Sequence, residues 1–557
     1  MPVSGKLVLM AALLALLPIA NAGASKTTVC TITVNSPDER ETFRRSLPSD
    51  RYEFVELVER GRPDWLASAC RKHVRCDVLL ISGHFDGGDE FYSDRVDARE
   101  SLPVDEMERV SCSDSCSGLF SQLKEVYLFG CNTLNGEALT HASGEVVRSL
   151  VRAGHSAADA ERIAHLLAER HSDSNRERMR QIFKDVPVIY GFSSKAPLGR
   201  NAGPLLERYF QSGAATEEIG SGRPSPKLLG LFAPASMTVT SGSTDADPQA
   251  AHRRDACHFA DDRLSAAQKL AFVHELLGRD MAEVRMYFDQ IERYAASLGE
   301  AQWLAPDVAR SVQAITDDAA ARDRFMAFAR DADQPSVRAR MIALAARFGW
   351  LTPAQQQAEL AALVRDRFVR SHVGLEDVEL VCALNRDHAL DPTRAALEVG
   401  LREASIGQAA ILACLGSRTA RAQVVDALTG GRAEEVQIAQ VYLRHHPIAD
   451  VGEVRGIARR IASVRDAQTQ IRALDTLARL GVSDRESLEA LTGLFPVAKT
   501  VDVQRAIAGI LIRADYRTLA KPELVRALRQ HRLKSPDGQD LIDVLIRRMQ
   551  ASLSGTA

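Results

Sequence analysis

The chain has 557 residues, of which 45% are hydrophobic and 26% are charged. This length exceeds the roughly 250–300 residues that a single hydrophobic core usually supports, so we expect at least two domains. The composition excludes collagen-like, disordered and polytopic membrane proteins. With 70 basic and 73 acidic residues the formal net charge is -3, which gives no reason to expect a nucleic-acid partner.

The first residues have the pattern of a secretory signal peptide. Lys6 precedes an apolar run over 7–20, and Ala20-Asn21-Ala22 offers a cleavage site of small residues. The run is shorter than the roughly 20 residues that span a bilayer, and no later segment is long and apolar enough to do so. We therefore expect residues 1–22 to be removed. The mature protein is expected to be exported, to the periplasm or as a secreted protein, without a membrane span.

Export changes the interpretation of the nine cysteines. In an oxidising compartment most of them should pair, and an odd number leaves at least one free. Cys70 with Cys76, and Cys112 with Cys116, are close enough in sequence for local disulfides, although sequence alone does not give the connectivity. There is no pair of C-x-x-C motifs, so we expect no zinc site, no other metal and no organic cofactor.

Residues 27–235 alternate strand-like and helix-like segments. Strands are predicted at 29–34, 52–58, 78–81, 125–129 and 186–192, and helices at 63–74 and across 137–183. The runs at 78–81 and 125–129 are continuously apolar, as in strands buried on both faces of a parallel sheet. This alternation predicts one α/β domain with a mostly parallel sheet and flanking helices.

The second half of the chain has a different pattern. Residues 236–249 are small and polar, which predicts a linker over 236–255. From 256 to 550 the substantial segments have helical periodicity, and similar segments recur at 341–349, 436–443, 470–480 and 503–512. Aligned on Ala439, Ala473 and Ala506, the last three are 34 and 33 residues apart, in the range of helical repeats. An irregular helical bundle is the alternative to the all-α, HEAT-like α-solenoid that we favour.

Two polar side chains follow strands of the predicted sheet at equivalent places. His84 comes after the strand at 78–81 and Cys131 after the strand at 125–129, each directly preceded by a glycine. Because the carboxyl ends of parallel strands face the crevice where ligands bind, adjacent strands would bring both side chains to one edge. A thiolate is a nucleophile, and an imidazole beside it promotes its formation and protonates a leaving amine. The alternative is a buried or disulfide-bonded Cys131 and an ordinary polar loop histidine.

Neighbouring residues could assist these two. A helix entry predicted after Cys131 would favour the thiolate through the helix dipole, and its backbone N–H, with one from 83–85, could hold an oxyanion. In the loop past His84, Asp86 with two further acidic residues could steady the imidazole or favour a basic substrate side chain, or could simply be solvated. Ser193 and Ser194 follow the last predicted strand at the same edge. They could line a substrate pocket, although a turn explains them equally well.

The two motifs together resemble a known family. Ser-Gly-His-Phe over 82–85 and Gly-Cys-Asn-Thr over 130–133, each after a buried strand, are similar to those of the caspase-like (caspase–gingipain–separase) superfamily of cysteine peptidases, including CHAT-type domains. The resemblance covers roughly 27–232 and implies a caspase/haemoglobinase fold, with Cys131 as nucleophile and His84 as general base. It also implies that the N–H of Phe85 joins the oxyanion hole, where the family usually has glycine. CHAT-type domains are often joined to helical repeats.

We therefore expect an exported cysteine endopeptidase that hydrolyses a peptide or protein through an acyl-enzyme thioester. The helical repeats would dock the substrate or a protein partner. The alternative is a catalytically inactive caspase-like scaffold that acts as a protein–protein interaction module. A disulfide-bonded Cys131, or a Cys131 and His84 on opposite faces of the sheet, would contradict the peptidase.

Overall fold

The computed structural model describes residues 26–57, 65–85, 88–93, 100–113, 116, 118–137, 143–171, 174–213, 218–399, 403–514, 519–534 and 540–554. The expected signal peptide at 1–22 and the candidate Asp86 lie outside these described residues. Contacts divide the chain into two compact units, one ending at Ile315 and the other beginning at Thr316. No helix in the described residues has both the length and the apolar character needed to cross a lipid bilayer.

The first unit is built around a six-stranded sheet. The strands are β1 (Thr27–Thr33), β2 (Tyr52–Glu56), β3 (Val78–Ser82), β4 (Glu90–Tyr92), β5 (Ser101–Pro103), β6 (Glu125–Phe129), β7 (Val188–Phe192) and β8 (Met237–Thr240). The sheet order is β2–β1–β3–β6–β7–β8, and all neighbours are parallel except β8, which is antiparallel to β7. Strands β4 and β5 form a separate antiparallel pair. The predicted mostly parallel sheet is confirmed.

Helices cover both faces of this sheet. The first unit contains α1 (Asp38–Ser46), α2 (Trp65–Arg71), α3 (Val104–Cys112), α4 (Ser143–Arg152), α5 (Ala157–Arg170), α6 (Asn175–Ile182), α7 (Gly199–Phe210), α8 (Pro226–Phe232), α9 (Ala250–Ala260), α10 (Ala266–Leu277), α11 (Met281–Ser297), α12 (Glu300–Trp303) and α13 (Pro306–Asp317), whose last turn contains the division point. Side chains alternate along each strand, so Leu79 and Ile81 share a core with α2, α3 and α6. Val78 and Leu80 share the opposite core with α1, α7 and α8. Burial on both faces explains the continuous apolar runs.

The linker predicted at 236–255 is wrong. Met237–Thr240 is the edge strand β8, and the helices that follow pack onto the α/β part. Arg285 of α11 donates to Glu145 of α4 at 2.6 Å, and both side chains are buried. An edge strand pairs with a neighbour on one side only, so its residues can be small and polar. In the sequence such a strand looks like a linker. The first unit therefore includes helices that the sequence had assigned to the repeats.

In its described residues the second unit is entirely helical. Its helices are α14 (Ala319–Arg330), α15 (Pro335–Arg347), α16 (Pro353–Phe368), α17 (Leu375–Leu384), α18 (Thr393–Glu398), α19 (Ile406–Cys414), α20 (Arg418–Gly430), α21 (Ala433–His445), α22 (Val451–Ile461), α23 (Ala467–Leu480), α24 (Arg485–Leu494), α25 (Val501–Arg513), α26 (Pro522–Gln530) and α27 (Leu541–Leu553). Each of α17, α19, α21, α23, α25 and α27 packs on the next in that series. One hydrophobic core runs from Ala361 to Met549. The predicted all-helical second half is confirmed.

Candidate active site

Cys131 lies two residues beyond β6 and carries a free thiol. All nine cysteines are among the described residues, and the other eight form disulfides. The thiol is half-buried, so it is accessible from solvent. The candidate nucleophile Cys131 is thus the cysteine that remains reduced. A disulfide at Cys131 would have contradicted the peptidase hypothesis, and none is present.

The two local disulfides suggested by sequence spacing do not form. The observed pairs are Cys30–Cys76, Cys70–Cys116, Cys112–Cys257 and Cys382–Cys414. Cys30 meets Cys76 because β1 and β3 are adjacent, and Cys112 meets Cys257 because α3 packs on α9. Cys70 and Cys76, like Cys112 and Cys116, are therefore all bonded, but to partners that the tertiary structure selects. Four disulfides are consistent with an exported protein.

His84 lies beyond β3 in register with Cys131. Strands β3 and β6 pair in parallel with Ser82 opposite Phe129, and the N–H of Gly83 continues the pairing by donating to the Phe129 carbonyl at 3.1 Å. Two residues past this pair stand His84 on one strand and Cys131 on the other. Equal offsets from paired residues place them at neighbouring positions on the same sheet edge.

The backbone of His84 is fixed by the short strand β4. The N–H of His84 donates to the Tyr92 carbonyl, and the N–H of Tyr92 donates back to the His84 carbonyl, both at 2.9 Å. The two rings also face each other, with centroids 5.4 Å apart. Tyr92 therefore holds the backbone of His84 and lies against its ring, and neither β4 nor this contact has a signal in the sequence motif.

The glycine before Cys131 is required by packing. A Cβ at Gly130 would lie 2.8 Å from Cβ of Phe85 and 3.1 Å from the ring of Phe91. Both phenylalanines are fully buried, with ring centroids 4.6 Å apart. The side chain of Phe85 thus anchors the loop after β3 in the core, directly against the end of β6.

Cys131 and His84 line the same cleft at the carboxyl edge of the sheet. Its volume is about 40 Å³, and its remaining walls come from residues 35, 36 and 39 after β1 and from 196–199 before α7. Strand β1 has β2 on one side and β3 on the other, so the chain changes direction in the sheet at this point. Open α/β sheets bind ligands at such switch points. The two side chains lie where the topology places a binding site.

The turn after Cys131 is not a helix entry, so that prediction is wrong. Asn132 has a left-handed φ of 59°, and helix α4 begins only at Ser143. The N–H of Asn132 donates to the carbonyl of Ser194 at 2.6 Å. The hydroxyl of Thr133 accepts from the N–H of Phe192 at 3.0 Å. These bonds tie the turn to β7, and they position the thiol without the help of a helix dipole.

Two backbone amides near these strand ends, those of Cys131 and Phe85, make no hydrogen bond to any residue that the structure describes. A buried or half-buried amide normally has a partner. An N–H without one next to a nucleophile can stabilise the negative oxygen that forms when a carbonyl is attacked.

Ser193 and Ser194 do not line this cleft. The hydroxyl of Ser194 lies 2.6 Å from that of Ser236, and Ser193 donates its N–H to the carbonyl of Ser236 at 3.1 Å. Both serines are exposed and belong to the connection between β7 and β8. The wall comes instead from 196–199, a few residues further along the chain, where no sequence motif marks it.

Sequence reasoning also missed Glu39, which lines the cleft from α1. Its side chain is 2% exposed and accepts a hydrogen bond from the hydroxyl of Ser82 at 2.9 Å. Burial raises the pKa of Glu39 to about 7, because the charged form loses its hydration. An acid in the first turn of a helix normally indicates only a favourable dipole contact. The sequence signal that could have identified Glu39 is its position shortly after the carboxyl end of β1, at the edge where ligands bind.

Compared with models of protein families, with curated proteins and with solved structures, the chain matches none. The cleft brings together a free thiol, an imidazole on the adjacent strand and a buried carboxyl. The N–H groups of Cys131 and Phe85 add two backbone donors without a partner among the described residues. This set suits nucleophilic attack on a carbonyl carbon.

Proposed function

We propose that the chain is a cysteine endopeptidase with a caspase-like catalytic domain, in which Cys131 is the nucleophile and His84 the general base. The observation that carries this proposal is the pairing of the free thiol with a histidine at the neighbouring strand end, in one cleft at the switch point of the sheet. Structural cysteines of an exported protein normally pair, as the other eight do here.

In this proposal each residue of the site has one role in peptide hydrolysis. The sulfur of Cys131 attacks the carbonyl carbon of the scissile peptide bond after His84 has taken the thiol proton. The negative carbonyl oxygen is held by the N–H groups of Cys131 and Phe85. His84 gives its proton to the leaving amine as the C–N bond breaks, which leaves a thioester. Water, deprotonated by His84, then hydrolyses the thioester and restores the thiol.

The helical stack from α17 to α27 supplies the second part of the proposal. We assign it to HEAT-like repeats that dock the substrate or a protein partner, because stacked helical hairpins present an extended surface. The three disulfides of the first unit and the one of the second support action in an oxidising compartment, the periplasm or the medium.

One observation favours the alternative, an inactive scaffold that acts as an interaction module. The cleft beside Cys131 and His84 is narrow, with residues 35, 36 and 39 on one wall and 196–199 on the other. A peptidase needs room for a peptide chain at this place, whereas a scaffold does not.

Labelling of the mature protein with a thiol-directed alkylating reagent, followed by intact-mass spectrometry, tests the proposal. We expect one rapid label on the wild type, none on Cys131→Ala, and labelling at least about 10-fold slower on His84→Ala because the thiolate loses its base. His155→Ala is the matched control, since His155 is exposed and far from the cleft in the chain.

A peptide library then tests turnover with the same variants. Cleavage that Cys131→Ala abolishes and His155→Ala retains would support the peptidase. A Cys131 that labels no faster than a free cysteine in the denatured chain, with no cleavage of any peptide, would favour the scaffold.

A further inference from the structure

Three potential metal ligands in the second unit are separated by a constant interval. Cys382 lies on α17, Cys414 is the last residue of α19, and His446 directly follows α21. Cys382 and Cys414 are 32 residues apart, and 414 to 446 is again 32. Helices α17, α19 and α21 all pack against one another. The helical period therefore brings one ligand from each of three neighbouring helices to the same place.

The ligand atoms of these residues form a compact group. The two sulfurs and a ring nitrogen of His446 all lie within 4.8 Å of one another, and the sulfurs are joined as a disulfide. Each cysteine is 1% exposed. Nε2 of His446 is buried and has no hydrogen-bond partner among the described residues. An unsatisfied buried nitrogen on a ring that lies beside two sulfurs requires an explanation that packing alone does not provide.

His445, the residue before His446, has a polar partner, which shows that a missing partner is particular to His446. Nε2 of His445 lies 2.8 Å from a carboxylate oxygen of Glu379. His446 instead stacks on Tyr442, with ring centroids 4.9 Å apart, which fixes the plane of its imidazole. The two adjacent histidines are therefore placed differently, one against a carboxylate and the other beside the sulfurs.

We propose that the reduced chain binds one thiophilic d¹⁰ metal ion, Zn²⁺ or Cu⁺, through the sulfurs of Cys382 and Cys414 and Nε2 of His446. The disulfide is the metal-free, oxidised state of the same site. A dithiol reductant supplies two electrons and two protons to the S–S bond and itself becomes a disulfide. The metal ion then displaces the two thiol protons to solvent as the metal–sulfur bonds form.

The donor set determines which ions fit. Thiolate sulfur and imidazole nitrogen suit Zn²⁺ and Cu⁺, whereas Mg²⁺ and Ca²⁺ require oxygen ligands. Zn–S bonds of about 2.3 Å at a tetrahedral angle would place the sulfurs about 3.8 Å apart, farther than in a disulfide, so either the two cysteine side chains change rotamer or α17 and α19 separate. A bound ion would also tie α21 to that pair, which the disulfide does not do. This site does not depend on the proposed peptidase.

Metal titration of the full chain tests the proposal. The protein is reduced with dithiothreitol, freed of reductant under argon, and titrated with Co²⁺ as a spectroscopic substitute for Zn²⁺. Parallel titrations use Zn²⁺ and Cu⁺ against chromophoric chelators. We expect a thiolate-to-cobalt charge-transfer band. We also expect one more bound ion per chain in the wild type than in Cys382→Ser, and the two chelator titrations identify the preferred ion.

His446→Ala is the decisive variant because it retains both cysteines, and hence the disulfide and the fold. We expect its affinity for the ion to fall by roughly 100-fold or more, since a ligand is lost. His445→Ala and Cys30→Ser are the matched controls, and both should bind the ion at this site as tightly as the wild type. Equal affinity of His446→Ala and the wild type would overturn the proposal. It would also be overturned if reduction of Cys382–Cys414 unfolded the helical stack, or if neither Zn²⁺ nor Cu⁺ bound.

Discussion

The two units bring reactive side chains together in different ways. In the first unit His84 and Cys131 meet because two parallel strands end at the same edge, although they are 47 residues apart in the chain (84 to 131). In the second unit Cys382, Cys414 and His446 meet because one helical interval is repeated. A sheet edge collects residues from unrelated segments, whereas a repeat collects residues at one interval. The sheet edge can therefore combine more kinds of reactive side chain than the repeat can.

The disulfides show the same contrast. Those of the first unit join residues 46, 46 and 145 positions apart, while that of the second unit spans 32. Closing longer loops restricts the unfolded chain more strongly. The first unit should therefore depend more on an oxidising environment than the second. The following substitutions compare how strongly local changes affect the stability of the two units.

The largest effect is expected for the buried ion pair between α4 and α11. Glu145→Ala leaves Arg285 charged and buried, which should lower the free energy of unfolding of the first unit by about 3–5 kcal/mol. Glu489→Ala in the second unit removes an exposed partner of Arg485 and should cost less than about 0.5 kcal/mol. Denaturant unfolding gives the size of each effect, and hydrogen exchange locates it. Loss of protection in α20–α25 on Glu145→Ala would show that the units are not separate.

The sequence predicted the mostly parallel sheet because its central strands carry local signals. Strands β3 and β6 are continuous apolar runs, and each is followed by a glycine and one reactive residue, so the positions of His84 and Cys131 at neighbouring strand ends could be read from the sequence. Edge strand β8 was missed because its residues are polar. Glu39 was missed because an acid at the start of a helix is common. Its buried side chain accepts a hydrogen bond from Ser82, which lies on β3 and is distant in the chain.

The covalent and metal-binding groups were less predictable. Disulfide partners such as Cys70 and Cys116 are selected by helix packing, which spacing does not encode. The absence of paired C-x-x-C motifs argued against a metal site. The cluster of Cys382, Cys414 and His446 uses the helical interval instead, and only the stacked structure shows that those residues converge.

Gly130→Ala should damage the sheet edge directly. The new Cβ meets Cβ of Phe85 at 2.8 Å in a fully packed core, so the free energy of unfolding should fall by about 1–3 kcal/mol. Alkylation of Cys131 should slow as well, because the residue after the glycine is displaced. Gly456→Ala is the control in the second unit, since its Cβ would meet nothing within 4 Å. We expect Gly456→Ala, which lies within helix α22, to raise the free energy of unfolding by up to about 1 kcal/mol. A similar small gain at Gly130 would show that the sheet edge is loosely packed.

A pair of histidines should make the first unit sensitive to acid. Nδ1 of His171 lies 2.9 Å from Nδ1 of His252, and burial lowers the pKa of His171 to about 3 and that of His252 to about 4. Since unfolded histidine binds a proton near pH 6.5, stability is lost as the pH falls below that value. We expect the loss from His171 alone to be about 2 kcal/mol between pH 7 and pH 5.

His171→Phe should remove the part of this dependence that comes from His171, because the phenyl ring has no proton to take up, and leave the part that comes from His252. His155→Phe replaces an exposed histidine and should leave the dependence as in the wild type. Guanidinium unfolding at both pH values measures the difference. Equal slopes for His171→Phe and the wild type would mean that the buried pair does not set the acid sensitivity.

The smallest effect, of opposite sign, is expected at Glu39. Its pKa of about 7 lies above that of an unfolded glutamate, so its contribution to stability is complete at low pH and is lost as the pH rises through 7. The wild type should therefore lose about 1 kcal/mol between pH 6 and pH 8 relative to Glu39→Gln, which keeps a neutral side chain beside Ser82. Glu53→Gln, at an exposed position on β2, should behave as the wild type. Because Glu39 lines the cleft, Glu39→Gln should also change how the alkylation rate of Cys131 varies with pH between 6 and 8. A change in stability without a change in that rate would separate the buried carboxyl from the chemistry of the thiol.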